Sequence, residues 1–292
     1  MMLKFRHILE AVAVKSIYCL FKLMPIETAS SIAGSLGRAI GPLLSVNKVA
    51  GKNIRNALPE LSDAEVNNVL KGMWDNLGRV VGEFPHMKNV TGKLFDEIAQ
   101  VEGAENIQAA NGRNTSTIFF SGHFSNWEMI PKTIYEKGSP TVQLVYRKSN
   151  NPYLDKLILD TRAAYSSNSI PKGSVGARYL INAIKKGHPI GMLVDQKQND
   201  GIAVPFFHKP AMTAPAIANL ALKYDCALVP LQAIRTKGAK FKIKAYPPMT
   251  LTKTGDTEQD ILNIMQAINE HLENFIRENP SQWFWVHNRW PK

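Results

Sequence analysis

Thr117-Ile118-Phe119-Phe120-Ser121-Gly122-His123-Phe124-Ser125-Asn126-Trp127-Glu128 presents, in that order, an apolar run, a glycine, a histidine, two good helix-capping residues and a carboxylate. The apolar run reads as a strand ending near Phe120, Gly122 as a turn, and Ser125 or Asn126 as the start of a helix. His123 and Glu128 are five residues apart, a rotation of roughly 500° on one continuous helix, which would leave their side chains about 140° apart. His123 therefore precedes the helix that carries Glu128, and the turn between them can fold the imidazole back onto the carboxylate.

A histidine held by an acid has one ring nitrogen fixed as a donor and the other left as an acceptor, which suits it to remove a proton from an alcohol. His123 is thus the candidate general base, with Glu128 expected to orient the ring and stabilise the imidazolium. If the alcohol itself attacks an activated acyl group, no Ser or Cys nucleophile is needed. A buried structural histidine is the plain alternative for the pair taken alone.

Outward from this stretch the pattern is strand and helix in alternation. Strands are expected at 115–120, 141–146, 189–194, 227–234 and 240–245, and helices at 125–137, 152–165, 174–186 and 213–224, with a further helix over 257–277 before an aromatic tail. Alternation of this kind predicts the α/β class: a central, mostly parallel sheet flanked by helices. Ligands of open α/β sheets bind outside the carboxyl ends of the strands. His123, Arg147 and Asp195 each follow a predicted strand at that end, so all three converge on one crevice.

Tyr146-Arg147-Lys148-Ser149-Asn150-Asn151-Pro152 offers cations and amide donors there, and Arg147 can grip a phosphate or polarise a carbonyl. Arg162 and Lys172 can add to the same positive field, and Asn126 stands at the helix start as a further substrate contact. An acid in a basic crevice disfavours anions, so Asp195 is expected to position Arg147 or another cation. Phe206 and Phe207 suit an acyl channel or a core. The tail Gln282-Trp283-Phe284-Trp285-Val286-His287-Asn288-Arg289-Trp290 interleaves aromatic and basic residues, with His287 and Arg289 as possible substrate contacts, yet no nucleic-acid module accompanies it.

The first ninety or so residues read as helical. Residues 26–40 are rich in Ala, Ser and Gly, which permits close packing, and Pro42 closes the segment; Ser62-Asp63-Ala64-Glu65 is a capping box opening a helix through about Val81. Charges at Lys4, Arg6, Glu10, Lys15 and Lys22 interrupt the apolar N-terminus, so no uncharged run of about 20 residues is there to span a bilayer. Lys4, Lys15 and Lys22 fall within about 20° of one another on a helical wheel, the pattern of a helix lying in a membrane interface. A helix packed on the protein's own core is the alternative. Residues 1–45 are accordingly expected to form a membrane-associating helical extension, and 46–292 the catalytic α/β domain.

Of the net charge of +11, residues 129–250 carry the whole excess, with 18 Lys/Arg against 6 Asp/Glu. Such a field favours an anionic partner. Cys19 and Cys226 lie far apart and form no metal or redox spacing, which suits a reducing compartment.

Together these segments resemble the bacterial lipid A biosynthesis (lauroyl/myristoyl) acyltransferase family. The resemblance rests on Gly122-His123 with Glu128, Val145-Tyr146-Arg147 with Asn151-Pro152, Asp195-Gln196, Val204-Pro205-Phe206-Phe207 ahead of Thr213-Ala214, and the terminal tryptophan-rich run. Lys148 stands where family patterns often place Pro, and His208 where they place Gly. The resemblance implies transfer of a fatty acyl chain from acyl carrier protein to a hydroxyl on an anionic lipid A precursor, at the cytoplasmic face of the inner membrane. It implies His123 as base; for the oxyanion the residues themselves offer backbone amides near the helix start at Ser125, or Arg147, as candidate donors, and the chemistry requires no metal or redox cofactor. The rivals are an acyltransferase for another membrane glycolipid or phospholipid, a metal-dependent hydrolase with His123, Glu128 and Asp195 as ligands, and a non-catalytic protein that binds membrane or nucleic acid through charge.

Overall fold

The structure, a computed structural model, describes residues 2–139 and 141–290 and, within them, the side chains of all but 2–4, 111 and 112. Lys4, one of the three lysines aligned on the wheel, falls outside those side chains. Four helices open the chain: α1 (Met2–Lys22), α2 (Ile26–Ile40), α3 (Val46–Ala57) and α4 (Asp63–Glu83). Then come α5 (Lys93–Ile98), β1 (Ala99–Glu102), α6 (Ala104–Gln108), β2 (Thr117–Ser121), α7 (Met129–Glu136), β3 (Gln143–Tyr146), α8 (Pro152–Arg162) and β4 (Asn168–Pro171). The chain continues with α9 (Ser174–Lys185), β5 (Ile190–Leu193), β6 (Lys197–Phe206), β7 (Lys209–Thr213), α10 (Ala216–Tyr224), β8 (Ala227–Lys237), β9 (Lys240–Ala245) and α11 (Thr257–Glu278).

Seven strands form one sheet in the order β1-β9-β8-β2-β5-β3-β4, and every neighbouring pair is parallel except β8 with β9. This is the expected α/β architecture. β2 is central because its residues are buried on both faces, as a near-continuous apolar run requires. Ile118 and Phe120 face a core shared with α9, α10, α11 and the tail, whereas Phe119 faces a second core with α5 and α7. β6 and β7 form a separate antiparallel hairpin.

β1, β4, β6 and β7 were not among the expected strands. The first two are four-residue strands at the sheet's edges, and β6 opens with the polar run Lys197-Gln198-Asn199-Asp200, which lacks strand alternation. The helix after β2 starts at Met129, with Glu128 as its N-cap, rather than at Ser125 or Asn126. Phe206 and Phe207 are buried in the core against Trp290 and are not among the residues lining the cavity beside His123.

The capping box of α4 is complete, with Ser62 and Glu65 each satisfying the other's backbone N–H. α2 lies against α4 almost backbone to backbone: a Cβ on Gly78 would stand 2.1 Å from the Ala33 carbonyl oxygen, and one on Gly37 2.2 Å from that of Trp74. α1 is latched to α8, with Tyr18 Oη 3.3 Å from Thr161 Oγ1 and Asn151 Nδ2 donating to the His7 carbonyl at 2.8 Å. Its Phe5, Leu9, Val12 and Leu20 remain exposed, as does Leu23 just after it. No helix of the described residues is long and apolar enough to cross a membrane.

Candidate active site

Parallel pairing of β2 with β5 sets the centre of the site. Ser121 lies in register with Leu193, so His123 and Asp195, each two residues farther on, emerge side by side. His123 Nδ1 donates to Asp195 Oδ1 at 2.8 Å, and the His123 backbone N–H donates to Oδ2, also at 2.8 Å. The Trp283 indole N–H donates to the same Oδ2 at 2.8 Å. Burial alone would raise the pKa of the fully buried Asp195, but the His123 imidazole and its hydrogen bonds outweigh that and hold the carboxyl well below the usual range. With Nδ1 committed to a fixed carboxylate, His123 Nε2 is left as the acceptor, the arrangement a general base requires.

The acid that orients His123 is thus Asp195, not Glu128, and Asp195 does not position Arg147. Glu128 points to α8: Arg162 donates to it through Nε at 3.0 Å and Nη2 at 2.5 Å, and Tyr165 Oη through a 2.8 Å bond. Burial raises the Glu128 pKa, yet the Arg162 charge and hydrogen bonds more than reverse it. The physical reason is competition, because a buried carboxylate offered a bidentate guanidinium takes it in preference to a single imidazole N–H. Arg162 spends its fork on Glu128 while still lining the cavity. Asn126 is fully buried, donating to Glu83 and accepting from the Glu128 N–H, and is no substrate contact. The Ser125 N–H is committed to the Gln282 carbonyl at 2.7 Å, which removes it as an oxyanion donor.

The tail completes the site. Trp283 bridges to Phe124, the Phe284 N–H donates to the His123 carbonyl at 3.1 Å, and Asn53 of α3 donates to the Trp285 carbonyl at 2.7 Å. His287 is thereby set with its ring 5.5 Å from that of His123, and burial lowers its pKa to about 4, so it is neutral near pH 7. Gln196 Nε2 lies 3.5 Å from both His123 Nε2 and His287 Nε2. Arg289, by contrast, is buried under the hairpin, donating to the Met212 carbonyl and Thr213 Oγ1. Trp283 and Gln196 belong to the site although the sequence reading assigned them no role; their only signal was their place in the quoted motifs.

His123 opens on a cavity of about 210 Å³ whose wall includes Trp127, Arg147, Lys172 and Gln196. Arg147 and Lys172 both face it, and Lys172 has its pKa lowered by burial and by the nearby Arg147 charge, against the pull of Asp195. The cavity shares Trp127, Ile158 and Arg162 with an apolar groove of about 390 Å³ between α1, α4 and α8, lined also by Ile17, Val81 and Phe84. Among the described residues, one group has the geometry to hold a metal ion: His123, Asp195 and His287, with ligand atoms within 4.8 Å of one another. Glu128 is not part of it.

The family model described as bacterial lipid A biosynthesis acyltransferase matches residues 3–292. A lipid A biosynthesis acyltransferase of Haemophilus influenzae is 21% identical over 271 residues, covering 91% of this chain and 83% of the relative. The lipid A biosynthesis myristoyltransferase of Escherichia coli is 24% identical over 269 residues, covering 90% and 81%. The lipid A biosynthesis palmitoleoyltransferase of the same organism is 21% identical over 277 residues, covering 91% and 86%. Matched from its third residue to its last, and holding its histidine at the carboxyl edge of a largely parallel sheet, the chain belongs to the bacterial lipid A biosynthesis acyltransferase family.

Proposed function

We propose that the protein moves a fatty acyl chain from the thioester of acyl carrier protein to the hydroxyl of a hydroxyacyl chain on a lipid A precursor, working at the cytoplasmic face of the inner membrane. The observation that carries this reading is His123, ring-locked by a buried carboxylate and opening on a cavity that joins an apolar groove to the cations Arg147 and Lys172. His123 takes the hydroxyl proton as the oxygen attacks the thioester carbonyl, and Asp195 stabilises the imidazolium that forms. Collapse of the adduct expels the thiolate, and His123 returns the proton to it. Arg147 and the Gln196 amide are the side-chain donors at hand for the oxyanion; one such donor is typically worth about 3–4 kcal/mol. The groove suits a hydrocarbon chain. The basic excess of residues 129–250 suits both an acidic carrier and a phosphorylated glycolipid. Residues 1–45 serve as the membrane-associating segment, with the exposed apolar side chains of α1 toward the lipid, and 46–292 as the catalytic domain. No step calls on a metal or redox cofactor.

The test is mass spectrometry of a tetraacylated lipid A precursor incubated with acyl carrier protein thioesters of several lengths, before and after exhaustive chelation. The expected result is a gain of one acyl chain that survives chelation and is abolished in His123→Ala. No gain with any donor, or a gain undiminished in the variant, would contradict the reading.

A further inference from the structure

Beneath the active-site loop lies a buried ion pair that the chemistry above does not use. Glu83, at the end of α4, is fully buried; Arg235 of β8 donates to both its oxygens, Ser30 Oγ to Oε1 at 2.6 Å, and Asn126 Nδ2 to Oε2 at 2.8 Å. Arg235 then reaches the residue before Asn126 by two routes. Its Nε donates to Asn76 Oδ1 at 3.0 Å, and Asn76 Nδ2 donates to the Ser125 carbonyl at 3.0 Å. Its backbone is gripped at both polar groups by the Gln282 side chain, and the Gln282 backbone carbonyl accepts from the Ser125 N–H.

All of these bonds converge on a turn that would not hold itself. Ser125 has φ of +49°, left-handed backbone that a residue with a side chain adopts only when its surroundings impose it. The turn sets the Trp127 ring 5.1 Å from that of His123 and delivers Glu128 to the start of α7. A buried ion pair adds little stability over apolar residues of the same size, and replacing both members together is often neutral. What it does add is direction, because fixed donors and acceptors are aimed at one loop.

We propose that Glu83 and Arg235 are positioning residues for acyl transfer, holding residues 122–128 in the turn that places Trp127 and Glu128 around His123. The kinetic part of this rests on the reading given under Proposed function; the structural part does not. The experiment compares wild type with two variants, Glu83→Met combined with Arg235→Met, and Asn126→Ala, which leaves the ion pair intact and removes its direct bond to the loop together with the Asn126 Oδ1 bond to the Glu128 N–H. Two readouts are taken: kcat and KM for transfer, and hydrogen–deuterium exchange of the amides in 122–128 against those of α4 and β8.

Each variant is expected to lose at least tenfold in kcat with KM within about twofold, and to exchange the loop amides at least tenfold faster while α4 and β8 stay protected. Wild-type turnover and wild-type loop protection in a folded double variant would overturn the proposal. Should the double variant not fold, Asn126→Ala decides: unchanged turnover and loop exchange there would overturn it equally. If wild type shows no transfer, the functional reading fails and loop exchange alone still decides this one.

Discussion

A carboxylate removed from water and given three donors is fixed in charge and in place, and that is the condition of Asp195. The imidazole it holds has one tautomer and one orientation, which a surface histidine lacks. His287 shows the converse effect of burial. Its pKa falls from the ordinary 6.5 to about 4, so the unfolded chain binds a proton that the folded one refuses across that window. The sign is that of a stability loss as pH drops from about 6.5 to about 4, of roughly 3–4 kcal/mol when complete. Denaturant melts of wild type and His287→Gln should diverge across that range, the wild type losing more; parallel curves would contradict the assignment. His208 supplies another case. It and Phe207 are the two central residues of the β6–β7 turn, with φ of +59° and +50°, a two-residue hairpin that favours glycine. His208→Gly should raise stability by about 1 kcal/mol in denaturant titration, since glycine adopts this backbone without steric cost. Of these residue-scale features, that Asp195 shares a crevice with His123 was legible from its place after a strand. Its partnership with His123 was not, because one sequence does not say which strand lies beside which.

At the scale of elements, α2 and α4 are joined by the absence of side chains. Gly78 offers no room: its Cβ would meet the Ala33 carbonyl oxygen at 2.1 Å, and both are helix backbone, so the helices themselves must part. Gly78→Ala, normally favourable in a helix, should here destabilise by about 1–3 kcal/mol, read as a lower denaturation midpoint. A rise in the midpoint would show that the two helices pack less closely than described. The small residues of 26–40 signalled close packing in the sequence, but the partner helix did not. Long, strongly patterned elements were legible: α2, α4 with its capping box, and α11 fall within a few residues of expectation. Missed strands were short and at the sheet's edges, or, like β6, polar at their start and irregular in register between Lys197 and Ile202. The start of α7 was misplaced because Ser125 and Asn126, good capping residues both, are drawn into the buried network beneath the loop instead.

At the scale of the whole molecule, the active site draws on the chain from α4 to its tail. β2 brings His123, β5 brings Asp195, and the tail brings Trp283 and His287, while the N-terminal helices supply one wall of the groove. From the basic middle of the chain, Arg147 and Lys172 line the cavity beside His123, so apolar and anionic parts of one substrate can be met together. The claim that joins these parts is that Asp195, not Glu128, makes His123 a base. Turnover of Asp195→Asn and Glu128→Gln, each measured beside wild type in the acyl-transfer assay with folding checked by circular dichroism, tests it most directly. A fall on the order of 10³–10⁴ in kcat for Asp195→Asn, with a clearly smaller loss for Glu128→Gln, is predicted; near-wild-type turnover in Asp195→Asn with activity abolished in Glu128→Gln would contradict it.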